Sequence, residues 1–115
     1  MANPPDLDDD MARVRQRKSE ATAKGGQAGP RLLLLAEHHD SGQATRIAGF
    51  IALTYNSQVF PFDLYELRTH DEAIADDMRL CIDAQRWAQA DLHTLVLDGE
   101  RRVRAVLEAA RIEVA

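Results

Sequence analysis

Between Asp71 and Ala90 five charged residues, Glu72, Asp76, Arg79, Asp83 and Arg86, recur every three or four positions. At about 100° per residue this spacing puts them on one narrow helical face, where i,i+3 and i,i+4 partners meet. The rest of the circumference carries Ala73, Ile74, Met78, Leu80, Cys81, Ile82, Ala84, Trp87 and Ala88. So wide an apolar arc predicts a central helix with neighbours on several sides. A chain containing such a helix must supply other helices to cover it. The composition agrees: the apolar residues are mainly Ala, Leu, Ile and Val, and aromatics make up only 5%. That balance favours helices over a sandwich or barrel.

The covering helices can be placed. Pro30 is suited to a first helical position, because its missing N–H would be unpaired there anyway. A helix over Pro30–His39 follows, with Leu32, Leu35, Ala36 and His39 as its stripe and Leu33 and Leu34 widening it. A buried strand over Arg31–Ala36 competes, but the run lacks β-branched residues. Asp40 or Ser41 can cap the next helix, Gly42–Tyr55. Its stripe is Ile47, Phe50, Ile51 and Thr54, at i, i+3, i+4 and i+7. Ala44, Ala48, Gly49 and Ala52 lie among them and suggest a close helix–helix contact that explains a mid-helix glycine. Asn56-Ser57 ends the helix. Pro61 then holds Phe60 extended, so Phe60 and Phe62 must be buried under the loop or form a sticky surface. Asp63 caps a short turn over Leu64–Thr69.

After the charged helix, Asp91 is placed to cap a short helical turn over Leu92–Leu97, with a strand over Thr94–Leu97 as the alternative. Asp98-Gly99 interrupts the chain, and Asp98 can cap a last helix, Gly99–Ile112. There Val103, Val106, Leu107 and Ala110 form the stripe, and Arg101, Arg104, Glu108 and Arg111 point outward. The expected fold is all-α, a small bundle of four principal helices spanning residues 30–115. Residues 1–29 hold an acidic patch, Asp6–Asp10, a basic patch, Arg13–Lys18, and a glycine-rich end. With only Leu7, Met11 and Val14 as apolar anchors, this arm reads as disordered or partly helical, and dispensable for folding.

The run GQATRIAGFIALTYN, followed by FPFDLYELRTHDEAIADDM, resembles a family of short uncharacterised proteins. These are encoded on integrative and conjugative elements and plasmids of proteobacteria. The resemblance covers roughly Arg31–Ile112. It implies a mobile-element setting and brings no catalytic residue with it.

The net charge is −5. Acids and bases cancel within residues 1–30, so the imbalance belongs to the bundle, mostly between Asp63 and Asp98. An acidic domain is a poor phosphate binder unless its bases cluster. The single Cys81 rules out an internal disulfide and fits a reducing compartment. There is no signal-peptide core and no run long enough to span a membrane, so a cytoplasmic setting is expected.

Candidate chemistry is sparse. Asp77 falls inside the apolar arc, at an angle between Ala84 and Ala88. A carboxylate there needs a partner, for which Arg46, Arg68 or the start of the second helix are candidates; a catalytic acid is the sharper alternative. His38, His39, His70 and His93 lack the spacing of a zinc helix, and there is no cysteine cluster. Neither a metal nor another cofactor is expected. Cys81, on the apolar arc, reads as an inert core thiol.

The leading expectation is a non-enzymatic protein–protein interaction module of a mobile element. It would act as an accessory or inhibitor of a host nucleic-acid or defence complex. Its contact surface would be the acidic face Glu72, Asp76 and Asp83 or the Phe60–Phe62 loop, and its partner a host or element-encoded protein. A DNA-binding accessory using Arg101, Arg102, Arg104 and Arg111 is the alternative. A small enzyme built around Asp77 is the second.

Overall fold

A computed structural model describes residues 7–38, 42–55, 67–68, 70–87 and 91–110. The fold is all-α, with four helices. They are α1, Leu7–Glu37, α2, Gly42–Tyr55, α3, Glu72–Trp87, and α4, Gly99–Ala109; a 3-10 turn at Leu92–Thr94 precedes α4. The described residues contain no strand, so Thr94–Leu97 is the end of that turn followed by bends. Phe60, Phe62, Asp63, His39, Arg111 and the residues before Leu67 in which a short turn is expected lie outside the described residues.

The largest departure from expectation is α1. It does not start at Pro30: residues 7–29 are helical and continuous with the leucine run. Over those residues the arm is helical, the second of the two readings its composition left open. Local propensity argues against this, since Gly25, Gly26 and Gly29 each cost up to about 1 kcal/mol relative to Ala. An interior proline costs roughly 3 kcal/mol more. Packing overrides both. Ala21, Gly25, Ala28, Leu32 and Ala36 fall on one stripe and are buried. At the N-terminal end Asp8, Asp9 and Asp10 occupy the first turn, where the helix dipole favours acids. Asp10 pairs with Arg13 at 3.6 Å, and the Gln16 amide donates to Glu20 at 3.1 Å.

Contacts between α1 and α3 are the most extensive of any helix pair. Arg31 meets Asp77, Gly25 meets Ala84 and Arg17 meets Trp87, so the two helices run antiparallel. Only Ile74, Met78, Cys81 and Ala84 of α3 are buried. Ala73 and Ile82 are exposed, and Leu80 is half-buried. The central helix is thus α1, which touches every other element, and α3 lies on it along one stripe.

α2 and α4 complete the core. Ile47, Phe50, Ile51 and Thr54 are buried as their spacing predicts, and the Thr54 hydroxyl donates to the Ile51 carbonyl at 2.7 Å. Val103, Val106 and Leu107 of α4 are buried against them. Of the four leucines of α1, Leu32 and Leu33 are buried, while Leu34 and Leu35 are exposed.

Two glycines behave oppositely to expectation. A Cβ at Gly49 would have nothing among the described residues within 4 Å, so no close contact among them explains this glycine. A Cβ at Gly25 would lie 2.4 Å from the Ala84 Cβ, which makes Gly25 the point of closest helix approach.

Candidate interaction surface

The expected acidic face is the outward side of α3. Glu72 and Asp76 are exposed and Asp83 is half-buried. Asp76 lies 3.6 Å from Arg79, an exposed i,i+3 pair. Asp76, Arg79, Leu80, Ile82, Asp83 and Arg86 line an open hollow of about 650 Å³. Leu80 and Ile82 border the charged row of α3 on either side, Ile82 being 37% exposed. Carboxylates and guanidinia alternate along that row, so the face is mixed in charge rather than uniformly acidic.

Trp87 closes this helix toward α1. Its ring lies beneath two guanidinia, Arg17 at 5.0 Å and Arg86 at 4.9 Å from the ring centroid. Such stacking is worth about 0.5–1 kcal/mol per pair at exposed sites. The indole Nε1 has no hydrogen-bond partner among the described residues. The sequence signal was Trp87 itself, but its Arg17 partner lies in the arm that local composition marks as loose.

Asp77 is half-buried and accepts two hydrogen bonds from Arg31, Nε to Oδ2 at 2.9 Å and Nη2 to Oδ1 at 2.8 Å. The partner comes from α1, not from the residues singled out by sequence. The bidentate bond, more than bulk charge, raises the Arg31 pKa above its ordinary value. Cys81, one turn on, is fully buried. Desolvation, and secondarily the Asp77 charge, pushes its thiol up to about 12. A thiol so disfavoured as thiolate is a poor nucleophile and metal ligand.

The basic residues of α4 are largely paired. Arg102 donates to Glu37 of α1, Nη2 to Oε1 at 2.5 Å and Nε to Oε2 at 3.3 Å. This bond raises the Arg102 pKa. Arg101 pairs with Asp98. Arg104 pairs with Glu100 at 3.3 Å and lies 5.9 Å from the centroid of the Tyr55 ring. Asp98 occupies the N-cap position of α4 but makes no side-chain cap; its φ of 57° is left-handed, and its carboxylate turns to Arg101 instead. Gly99 is required here, because a Cβ would meet the His93 carbonyl oxygen at 1.9 Å.

The histidines are scattered. His38 is exposed at the end of α1, and His70 is buried just before α3. His93 packs on Tyr55 at 5.1 Å between ring centroids. Among the described residues no group of three or more His, Cys, Asp or Glu side chains is placed to hold a metal ion. No described helix is long and apolar enough to cross a membrane.

The profile of DUF7673, a family of unknown function, matches residues 26–111. The chain belongs to that family. No curated protein and no solved structure matches it. The DUF7673 match takes in the C-terminal part of α1 together with α2, α3 and α4. Residues 7–25 of α1 lie ahead of it, so the DUF7673 region begins at the close approach of α1 to α3.

Proposed function

We propose that this DUF7673 protein is a non-enzymatic protein–protein interaction module working through the outer face of α3. The reading is carried by an open hollow on α3 whose charged row, Asp76, Arg79, Asp83 and Arg86, is bordered by Leu80 and the exposed Ile82. Protein interfaces combine apolar contact with polar groups, and complementary charges steer encounter and fix register. On this reading the partner presents an apolar side chain for the hollow and a basic rim toward Glu72 and Asp76. The resemblance over Arg31–Ile112 supports a mobile-element setting, and on the same proposal the protein is a cytoplasmic accessory or inhibitor directed at a host nucleic-acid or defence complex. The Phe60–Phe62 loop is a second contact on the same proposal.

The DNA-binding alternative draws less support. Arg101, Arg102 and Arg104 each have a carboxylate partner within the chain, which leaves little unneutralised charge for phosphate.

The test is capture of a partner from host lysate with the wild type and with the Glu72→Lys, Asp76→Lys double variant, followed by association kinetics. Both positions are exposed, so the fold should persist. The on-rate should fall about tenfold at low salt and converge with wild type as salt screens beyond roughly 8–10 Å. Equal on-rates at low salt would exclude this face.

A further inference from the structure

The spacing of the buried stripe of α1 continues past the point where α3 stops. Leu7, Met11, Val14, Lys18, Ala21, Gly25, Ala28 and Leu32 follow one another at alternating steps of four and three. That is the seam of a heptad repeat. Its C-terminal half is buried, and the antiparallel α3 covers it along Gly25. α3 ends at Trp87, beside Arg17. Ahead of that point the seam is uncovered: Leu7 is 73%, Met11 53% and Val14 36% exposed. An open hollow of about 300 Å³ runs along it. This tip also lies ahead of the DUF7673 match.

We propose that the tip of α1 is a self-association site, and that its occupant is the same segment of a second copy of this chain, running antiparallel. Charge makes the segment self-complementary. Acids Asp8 and Asp10 flank the seam on either side, and bases Arg15 and Arg17 flank it one heptad later; within one chain Asp10 also pairs with Arg13 and Arg17 stacks on Trp87, exposed contacts that a docked partner would share. With a two-fold axis between residues 12 and 13, Met11 of one copy layers against Val14 of the other. Leu7 then layers against Lys18, Asp8 faces Arg15 and Asp10 faces Arg17. Lys18 falls at the end of the overlap, where its stem covers Leu7 and its ammonium reaches water.

A parallel pairing fails on two counts. It would set Lys18 against Lys18 within the seam. It would also bring both copies of α3 to the same end, where each already occupies the seam the other chain would need. The antiparallel arrangement places the two bundles at opposite ends, and each partner helix continues the line of α3. The overlap over residues 7–18 is about 18 Å long. It buries less than the roughly 1,200–2,000 Å² of a standard stable interface, so the dimer forms reversibly at micromolar concentrations or above.

The experiment uses the full chain in sedimentation velocity from about 10 μM to about 1 mM at low salt. The wild type should shift from monomer to dimer across this range. Met11→Asp with Val14→Asp should stay monomeric with an unchanged helical circular dichroism spectrum, since both residues are exposed. The variant pair Asp8→Lys, Asp10→Lys and the variant pair Arg15→Glu, Arg17→Glu should each associate at least about tenfold more weakly alone, and recover association when mixed. Oxidative cross-linking fixes direction: Leu7→Cys mixed with Lys18→Cys should give a mixed disulfide, and Leu7→Cys alone should not. A monomeric wild type throughout, a mixture that fails to recover, or cross-linking of Leu7→Cys with itself would each overturn the proposal.

Discussion

Gly25 and Gly49 are the same residue in the middle of two helices, yet the structure gives them opposite roles. An added methyl at Gly25 meets the Ala84 Cβ at 2.4 Å, and that atom moves only if a helix moves. Gly25→Ala should therefore destabilise by about 1–3 kcal/mol, as overpacking does. At Gly49 none of the described residues stands within 4 Å, so Gly49→Ala removes only backbone freedom from the unfolded chain. It should stabilise by about 0.5–1 kcal/mol. Urea midpoints at unchanged slope measure both. A gain at Gly25 would show that α1 and α3 are not held at this distance. The sequence displays both glycines, but the distance that separates their roles belongs to the packing of two segments far apart in the chain.

At the scale of the helices, two bidentate pairs tie α1 to its neighbours, Arg31–Asp77 to α3 and Glu37–Arg102 to α4. Each is only partly buried, so its worth is well below that of a dry ion pair. Asp77→Ala should cost about 1–2 kcal/mol, because two charge-assisted bonds are lost while the half-exposed Arg31 stays solvated. A double-mutant cycle with Arg31→Ala should return a coupling of about 1 kcal/mol. A coupling near zero in chemical denaturation would show that Asp77 is kept for something other than holding α3 on α1. The periodicity of α3 made Asp77 stand out and called for a partner. It could not name Arg31, because that requires knowing that α1 and α3 run antiparallel in this register.

For the whole molecule the decisive fact is that α1 is both the core helix and the projecting one. Removal of residues 1–15 should leave melting nearly unchanged, since Leu7, Met11 and Val14 are exposed and the contact of Arg17 with Trp87 is retained. Removal of residues 1–29 takes away Ala21, Gly25, Ala28 and Gly29, all buried. It should lower the melting temperature by more than about 10 °C, given that each kcal/mol is worth roughly 4–8 °C in a domain of this size. Thermal melts of the two truncations distinguish these outcomes. Equal melting temperatures would return the arm to the dispensable status its composition implies.

The sequence by itself determined the helical class, the extents of α2 and α3 to within a few residues, and the buried stripes of α2 and α4. Those follow from periodicity, which is local: Ile47, Phe50, Ile51 and Thr54 share a face whatever they pack against. It also marked the charged face of α3, because exposed charge at helical spacing needs no partner to be recognised. The tertiary structure alone decided which helix is central. Three glycines and Pro30 weaken α1 locally, and only burial of the small-residue stripe against α3 makes that helix favourable through residues 17–29. The apolar arc of α3 overstated its neighbours for the same reason. Periodicity reports which residues share a face, whereas coverage of that face depends on where distant segments lie.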